Sequence, residues 1–397
     1  MDENMVAPIS QPSADSSPAS GAPASAQETT GCRRPKKLKF LLPFLPPVVL
    51  TLLYYALEDN AAAMDTWVTN FLAPGIQAVG SLCSLVPFSV AEVLAALFLV
   101  LSAWWLIRAL VLLVKQRKLS AFLRRAASYV CVLCWLWMGF CWLWNCTYHA
   151  PGFAEKNALT KYPYTPDQLL SVTCFFALQA AKLSDDVPRN EDLSFAVTGA
   201  EAFERGVRVY DNIGKGFPSL SISDRKAKPL VCSRFQSILG YTGIYFPFTG
   251  EANVNVDQPA CLVPATIAHE MAHQRMVASE DECSFIGVLA CVSSEDIVFQ
   301  YSGYLMGLTY LTNALYALSP ELVEEIMRQS FTAQLLKDWN ENYNYWKALE
   351  TPAREVANEV MDEVYDGYLK SQGQPLGLMS YDACVDLLVN YFYPFTL

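Results

Sequence analysis

Ala268-His269-Glu270-Met271-Ala272-His273-Gln274-Arg275, with Ser279-Glu280-Asp281-Glu282 close behind, is the stretch on which the reading of this chain turns. It is an HExxH sequence followed by a carboxylate cluster, in a protein with only 3 histidines among 397 residues. On a helix, residues four apart share a face one turn (about 5.4 Å) higher, so His269 and His273 can address one ion. Glu270 is rotated by roughly 100° from His269, out of direct ligation but within reach of a water that the ion activates. A tetrahedral catalytic site needs a third protein ligand and an open fourth position. His149, the remaining histidine, lies where the chain leaves an apolar run, so the acidic cluster is the better source. A turn through residues 274–278, with Ser279 as N-cap, puts Glu280 in the first turn of a second helix, reaching back to the ion. Glu282 points elsewhere on that helix, as an outer-shell or solvated group. The set predicts zinc held by His269, His273 and Glu280, with Glu270 as general base in a hydrolysis.

Working outward, 53% of the residues are hydrophobic and 17% charged, which suits a membrane protein with a sizeable soluble part. The net charge of −11 argues against a nucleic-acid partner. Its distribution says more. Every Lys and Arg before residue 147 falls in Arg33 to Lys39, at Arg108, or in Lys115 to Arg125. Apolar runs at about 40–57, 90–114 and 129–143 read as three spans of the bilayer. The positive-inside rule then gives a disordered cytoplasmic tail (1–37), a transmembrane region (38–146) with a cytoplasmic basic loop from Lys115 to Arg125, and an extracytoplasmic domain (147–397). Thr66 to Val86, amphipathic and interrupted by Pro74 and Gly75, lies at the interface or re-enters. Ile297 to Leu318 is uncharged but carries Gln300, Ser302, Thr312 and Asn313, so a buried core helix fits better than a fourth span. The cysteines in apolar patterns, Cys283 and Cys291 among them, read as buried thiols.

In the distal domain, Thr165-Pro166-Asp167 opens a helix to about Lys182, and Glu191 to Ile213 reads as another. Tyr241 to Phe246 and Ala252 to Val256 look like strands around the turn Pro247-Phe248-Thr249-Gly250. The motif helix starts at Pro264, a second helix runs from Glu280 to about Val292, and amphipathic helices at about 330–349, 352–370 and 381–392 follow. Gly250, Glu251 and Asn253 belong either to a plain hairpin or to an exposed sheet edge that takes a peptide by main-chain hydrogen bonds. For a transition-state oxyanion the candidates are Tyr301, Tyr304, Tyr368, Tyr381 and Arg275, with none singled out.

Several further stretches carry a resemblance: Val86-Pro87-Phe88-Ser89, Tyr241 to Ala252 with its Tyr245-Phe246-Pro247-Phe248 centre, the HExxH, Glu280-Asp281-Glu282, Tyr301-Ser302-Gly303-Tyr304, Tyr368-Leu369-Lys370 and Ser380-Tyr381. Together they make the chain similar to an uncharacterised family of bacterial polytopic membrane proteins, a domain of unknown function with a gluzincin-type zinc-peptidase core. The resemblance implies an N-terminal three-helix transmembrane region and a mainly helical α+β, zincin-like extracytoplasmic domain. It also implies a multi-pass protein of the bacterial cell membrane that hydrolyses a peptide or protein substrate. The rival is an inactive, zinc-stabilised binding, sensor or assembly module on the same fold. Two departures from the family pattern stand out. Met276 occupies a position where glycine often follows the second histidine, and Cys283-Ser284 replace Ala-Asn. Ser284 is a weaker partner for an imidazole than Asn, so the outer shell of the site is thinner.

Overall fold

The computed structural model describes residues 41–159, 162–222, 225–374 and 384–397. The expectations for the N-terminal tail, its basic cluster and Tyr381 lie outside them. The protein is mainly helical with one small mixed sheet, and Pro43–Leu397 forms one compact unit.

The N-terminal apolar runs fold as helices whose hydrophobic side chains face outward. Helix α1 (Leu45–Leu57) is followed by α2 (Ala61–Trp67), α3 (Ala73–Cys83), α4 (Val90–Val114) and α5 (Leu119–Phe140), and α5 continues through a π-helical turn (Cys141–Asn145) to Tyr148. Two of these, Val90–Val114 and Leu119–Tyr148, are long and apolar enough to cross a membrane. Only 6% and 11% of their apolar windows are buried, so they do not serve as core helices. Leu42–Leu57, expected as a full span, is shorter. The basic segment differs from expectation too: the turn after Val114 is brief, and Arg124 and Arg125 already lie on α5. The stretch expected to break at Pro74 stays helical. A π-helical turn at Val68–Leu72 runs directly into α3, and this wider turn is where the continuous helix takes up Pro74, which has no N–H to give the ladder. Met64, Val68, Leu72 and Ile76 bury one face of this rod against Tyr54.

The distal part is built around α10 (Ile297–Leu318). It packs on α6 (Pro166–Ser184) and on α9 (Glu280–Val292), and α9 packs on the motif helix α8 (Val263–His273). The capping box of Thr165 with Gln168 starts α6. Helix α10 buries Val298, Phe299, Tyr301, Leu305, Leu308 and Leu311, as its polar content foretold. The helix expected over 191–213 does not form as one element. Phe195 and Val197 alternate inward in extended chain, and α7 (Gly199–Gly206) begins only at Thr198, whose capping box with Glu201 nucleates it. After α10 come α11 (Pro320–Ser330), α12 (Ala333–Ala348), α13 (Pro352–Ser371) and α14 (Cys384–Phe392).

The sheet has the order β1-β3-β2, with β1 (Lys228–Pro229), β2 (Gly243–Phe246) and β3 (Glu251–Val254). β1 is parallel to β3 and β2 antiparallel to it, pairing Phe246 with Glu251 and Gly243 with Val254. Of the two readings of this stretch, the plain hairpin is the one that forms. β3 is the central strand, buried along its length, so neither Glu251 nor Asn253 lies on a free edge, and Gly250 closes the hairpin turn at φ +65°. The edge beside the motif helix is β2, whose Ile244 is 45% exposed.

Glu251 has a different task. Its carboxylate accepts from the backbone N–H groups of Val90 (3.1 Å) and Ala91 (2.8 Å) at the start of α4. It also pairs with Lys228 at 2.5 Å, and Lys228 donates to the carbonyls of Cys83 (2.7 Å) and Phe88 (2.9 Å). Both partners are buried, so the sheet is joined to the first long apolar helix by a desolvated ion pair. Removing one partner of such a pair typically costs about 3–5 kcal/mol, because the other charge is left uncompensated. Glu251→Ala is therefore expected to lower the unfolding midpoint sharply, while Glu251→Leu combined with Lys228→Met recovers much of the loss. Chemical denaturation in detergent micelles would read both; equal midpoints for Glu251→Ala and wild type would refute this role.

Candidate metal centre

Helix α8 presents His269 and His273 on one face, with ring centroids 5.2 Å apart and planes at 81°. Glu280, in the first turn of α9, brings Oε2 to 3.2 Å from Nε2 of His269 and 3.5 Å from Nε2 of His273. The three residues are buried, their ligating atoms all lie within 4.8 Å of one another, and the group could hold a metal ion.

What aims these atoms follows from the chain end of α8. The Met276 N–H donates to the His273 carbonyl (3.0 Å) and the Val277 N–H to that of Ala272 (3.4 Å). That is a Schellman ending, and it puts Met276 at φ +62°, the left-handed conformation that glycine adopts freely. The substitution noted in the sequence thus keeps the turn at a conformational cost of roughly 1 kcal/mol. The turn delivers the Val277 carbonyl 2.8 Å from Nδ1 of His273. Nδ1 then carries the proton and Nε2 stays free for a metal. On His269, Nδ1 meets the Ser284 hydroxyl at a longer 3.4 Å, and the Tyr310 hydroxyl donates onward to Ser284. Ser284 thus lies next to His269. The Glu282 carboxylate is buried rather than solvated and caps the turn at Phe153 and Ala154, accepting from both N–H groups at 2.8 Å. Ser279 stands at the N-cap position as expected, but its hydroxyl bonds Asp281 and Gln374 rather than capping the backbone.

Burial pushes the Glu270 carboxyl up to about 7, against the pull of both imidazoles. Its Oε2 is buried without a hydrogen-bond partner, a costly state for a carboxyl group unless something outside the protein meets it. A Cβ at position 243 would overlap that carboxylate, so glycine at the start of β2 is what gives Glu270 its room. Burial also disfavours ionisation of Glu280, yet the two histidines hold it well below the usual carboxylate range. Burial works against a charged His273 as well, but the ionised Glu280 beside it, together with the hydrogen-bonding Cys283 sulfur, more than offsets that and raises it well above its ordinary value. Cys283 lies 3.3 Å from Nδ1 of His273, and burial pushes its thiol up to about 12, so it is neutral.

The site has a roof from distant parts of the chain. The Trp144 ring stands 5.6 Å from that of His273, and the Tyr245 ring 6.2 Å from it. On α13, the Tyr365 hydroxyl donates to Glu280 Oε1 at 3.1 Å, and the ring stacks on Tyr368, which donates to Asn145 at 2.9 Å. Tyr365 had no signal in the sequence: it lies 85 residues from Glu280, inside an ordinary amphipathic pattern. Of the oxyanion candidates, Tyr301 donates to Asp338 at 2.5 Å in the core and Tyr304 packs on Phe176. Arg275 is held by the carbonyls of Leu220 (2.8 Å) and Met271 (3.0 Å), over the ring of Tyr210. Among the described candidates, Tyr368 approaches the site, through its stack on Tyr365. His149 sits elsewhere, near Glu58.

A family model described as a protein of unknown function (DUF3810) matches residues 69–389, and the chain belongs to that family. No curated protein and no solved structure matches the chain.

Proposed function

We propose that this protein is a membrane-anchored zinc metallopeptidase with a zincin-like, gluzincin-type domain. The observation that carries the reading is a buried His269–His273–Glu280 group with a buried, unpartnered Glu270 carboxylate next to it. The donor set fits zinc: two imidazoles with Nε2 free and a carboxylate, the ligand types of catalytic zinc sites. Zinc held there would supply a Lewis acid that activates water and polarises a carbonyl. Glu270, in its basic form, takes a proton at its carboxylate and passes it to the leaving amine. β2, the edge strand, offers main-chain groups to an extended peptide, and Gly243 and Tyr245 bring that strand against Glu270 and His273. Trp144, Tyr245 and Tyr365 exclude bulk water around the histidines.

The membrane reading rests on α4 and α5. A helix of 25 residues such as α4 is about 37 Å long, enough for the hydrocarbon core. Its Glu251-capped end adjoins the domain with the metal group, and its other end meets Lys115, Arg117 and Lys118. By the positive-inside rule the basic end is cytoplasmic and the metal group outside.

One observation favours the non-enzymatic alternative. The side chains of His269, His273 and Glu280 are only 11%, 6% and 9% exposed, and Tyr365 occupies one Glu280 oxygen. Such closure also suits a zinc-stabilised binding module. The two readings separate with purified protein and a mixed peptide library. An enzyme cleaves, loses activity to a chelator and regains it with zinc. Its Gly243→Ala variant keeps the metal but loses about a hundredfold in kcat, the effect of displacing a reacting group by roughly 1 Å. Zinc-loaded protein that cleaves nothing, with Gly243→Ala indistinguishable from wild type, would support the binding module.

A further inference from the structure

A second feature adjoins the metal centre from the membrane side. Helices α1 and α4 both pack on α5. The Trp135 and Trp142 indoles fix α1 to α5 by donating to the carbonyls of Pro43 (3.1 Å) and Leu50 (3.0 Å). Between α1 and α4 runs a groove of about 1030 Å³, floored by α5 and walled by Leu52, Leu94, Ala95, Phe98, Leu133 and Trp137. Its volume is at the upper end of the roughly 300–1,000 Å³ range of small-molecule sites.

At the domain end the groove is lined by Phe246 and Phe248 from the β2–β3 hairpin. Their rings are 5.6 Å apart, and Phe248 lies so close to α5 that a Cβ on Gly139 would sit 3.0 Å from it. The same strand runs from the groove to the metal centre: Phe246 in the groove, Tyr245 against His273, Gly243 against Glu270. Four strand residues cover roughly 10 Å. A molecule lying in the groove with its polar end at the hairpin therefore has that end at one end of β2, and about three residues along the strand edge bring it to Gly243 and Glu270.

The lining selects the occupant. Helices associate in a bilayer through small residues and interhelical hydrogen bonds. This groove is lined mainly by Leu, Phe, Val, Tyr and Trp, with Thr51, Ala95 and Cys134 as its small residues scattered over three helices rather than forming one stripe, so a transmembrane helix fits it poorly and a flexible hydrocarbon chain fits it well. Bulk lipid covers any apolar face, but only a chain attached to something hydrolysable makes use of the groove's end at β2.

We propose that the substrate is a lipid-anchored peptide whose acyl chain seats in the α1–α4 groove while its first peptide bonds lie along β2 at the metal centre. This rests on the peptidase reading above. Hydrolysis adds water across one C–N bond, leaving a carboxylate on one fragment and an amine on the other, and the acylated fragment stays in the groove.

The test uses full-length protein in lipid nanodiscs with one fluorogenic peptide in palmitoylated and acetylated forms. Partitioning alone concentrates the palmitoylated form, so the decisive comparison is between proteins. Ala95→Trp fills the groove, and Leu99→Trp, on the same helix at an exposed position that does not line the groove, is the control. The expected result is a fall of about tenfold in kcat/KM for Ala95→Trp on the palmitoylated peptide, with the acetylated peptide and the control unchanged. Equal rates for both tryptophan variants on the palmitoylated peptide would overturn the proposal. If wild type cleaves neither form, the peptidase reading has failed, and a non-cleavable peptide with a photoreactive acyl chain decides the groove separately. Crosslinks at Leu133 and Trp137 that excess phospholipid does not compete away uphold it. Crosslinks spread over the lipid-facing surface, or removed by phospholipid, overturn it.

Discussion

Glu280→Ala is expected to yield a folded protein that no longer retains zinc. Among the described residues Glu280 is the carboxylate that reaches both imidazoles, at 3.2 and 3.5 Å, and its removal leaves two nitrogen donors facing a buried space. Loss of a supporting group that merely orients a ligand lowers metal affinity by about 10–100-fold, so loss of the ligand itself should exceed a hundredfold. The variant also leaves the raised imidazole of His273 without its counter-charge and the Tyr365 hydroxyl without its acceptor. Glu280→Gln keeps the shape and an acceptor for Tyr365, and serves as the control for folding. Metal analysis after dialysis against dilute chelator checks the outcome. A Glu280→Ala protein that holds zinc as tightly as wild type would remove Glu280 from the ligand set.

Glu270→Gln is expected to do the reverse, keeping zinc and losing turnover by at least about 10²–10⁴-fold, the usual contribution of general acid–base catalysis. The carboxamide fits the space under Gly243 but takes no proton. The same substitution has a stability signature in the metal-free protein. Burial raises the folded-state pKa of Glu270 from 4.5 to about 7, so the folded chain holds a proton that the unfolded chain releases. Stability then falls as pH rises from about 4.5 to 7, and the penalty is complete above that window. In chelator at pH 8, Glu270→Gln should be the more stable protein, by an amount of order 2–3 kcal/mol. At pH 4 the two should be alike. A wild-type advantage at pH 8 would mean that Glu270 is ionised and well satisfied in the fold, contrary to its unpartnered oxygen.

What was legible in the sequence was local. The motif helix, the helix after it and the convergence of His269, His273 and Glu280 follow from spacing, from Pro264 at a helix start and from the Ser279 N-cap position, all within twenty residues. The core position of Ile297–Leu318 was legible because its Gln, Ser and Asn residues are hard to place against lipid. The misreadings needed partners far away. β1 is two residues long, one of them proline, and carries no pattern of its own; without it β3 reads as an edge. Glu251 looks like a hairpin residue until the N–H groups of Val90 and Ala91, 161 and 160 residues distant, are set beside it. Glu282 resembles a solvated neighbour of Glu280, but the chain at Phe153 returns to be capped by it. The expected helix over 191–213 failed because Thr198 and Glu201 start a helix more strongly than anything before them. Trp144, Tyr245 and Tyr365 reach the His269–His273–Glu280 group from three separate segments, and no spacing rule joins them.

The account depends most on His269, His273 and Glu280 holding zinc, and X-ray absorption at the zinc edge of the purified full-length protein tests that directly. The predicted spectrum has only nitrogen and oxygen neighbours, at about 2.0–2.2 Å, with two imidazoles among them. It should lose an imidazole in His273→Ala. A sulfur neighbour at about 2.3 Å would point to Cys283, 3.3 Å from His273, and to a different site. Protein that takes up no zinc when offered it would contradict the account outright.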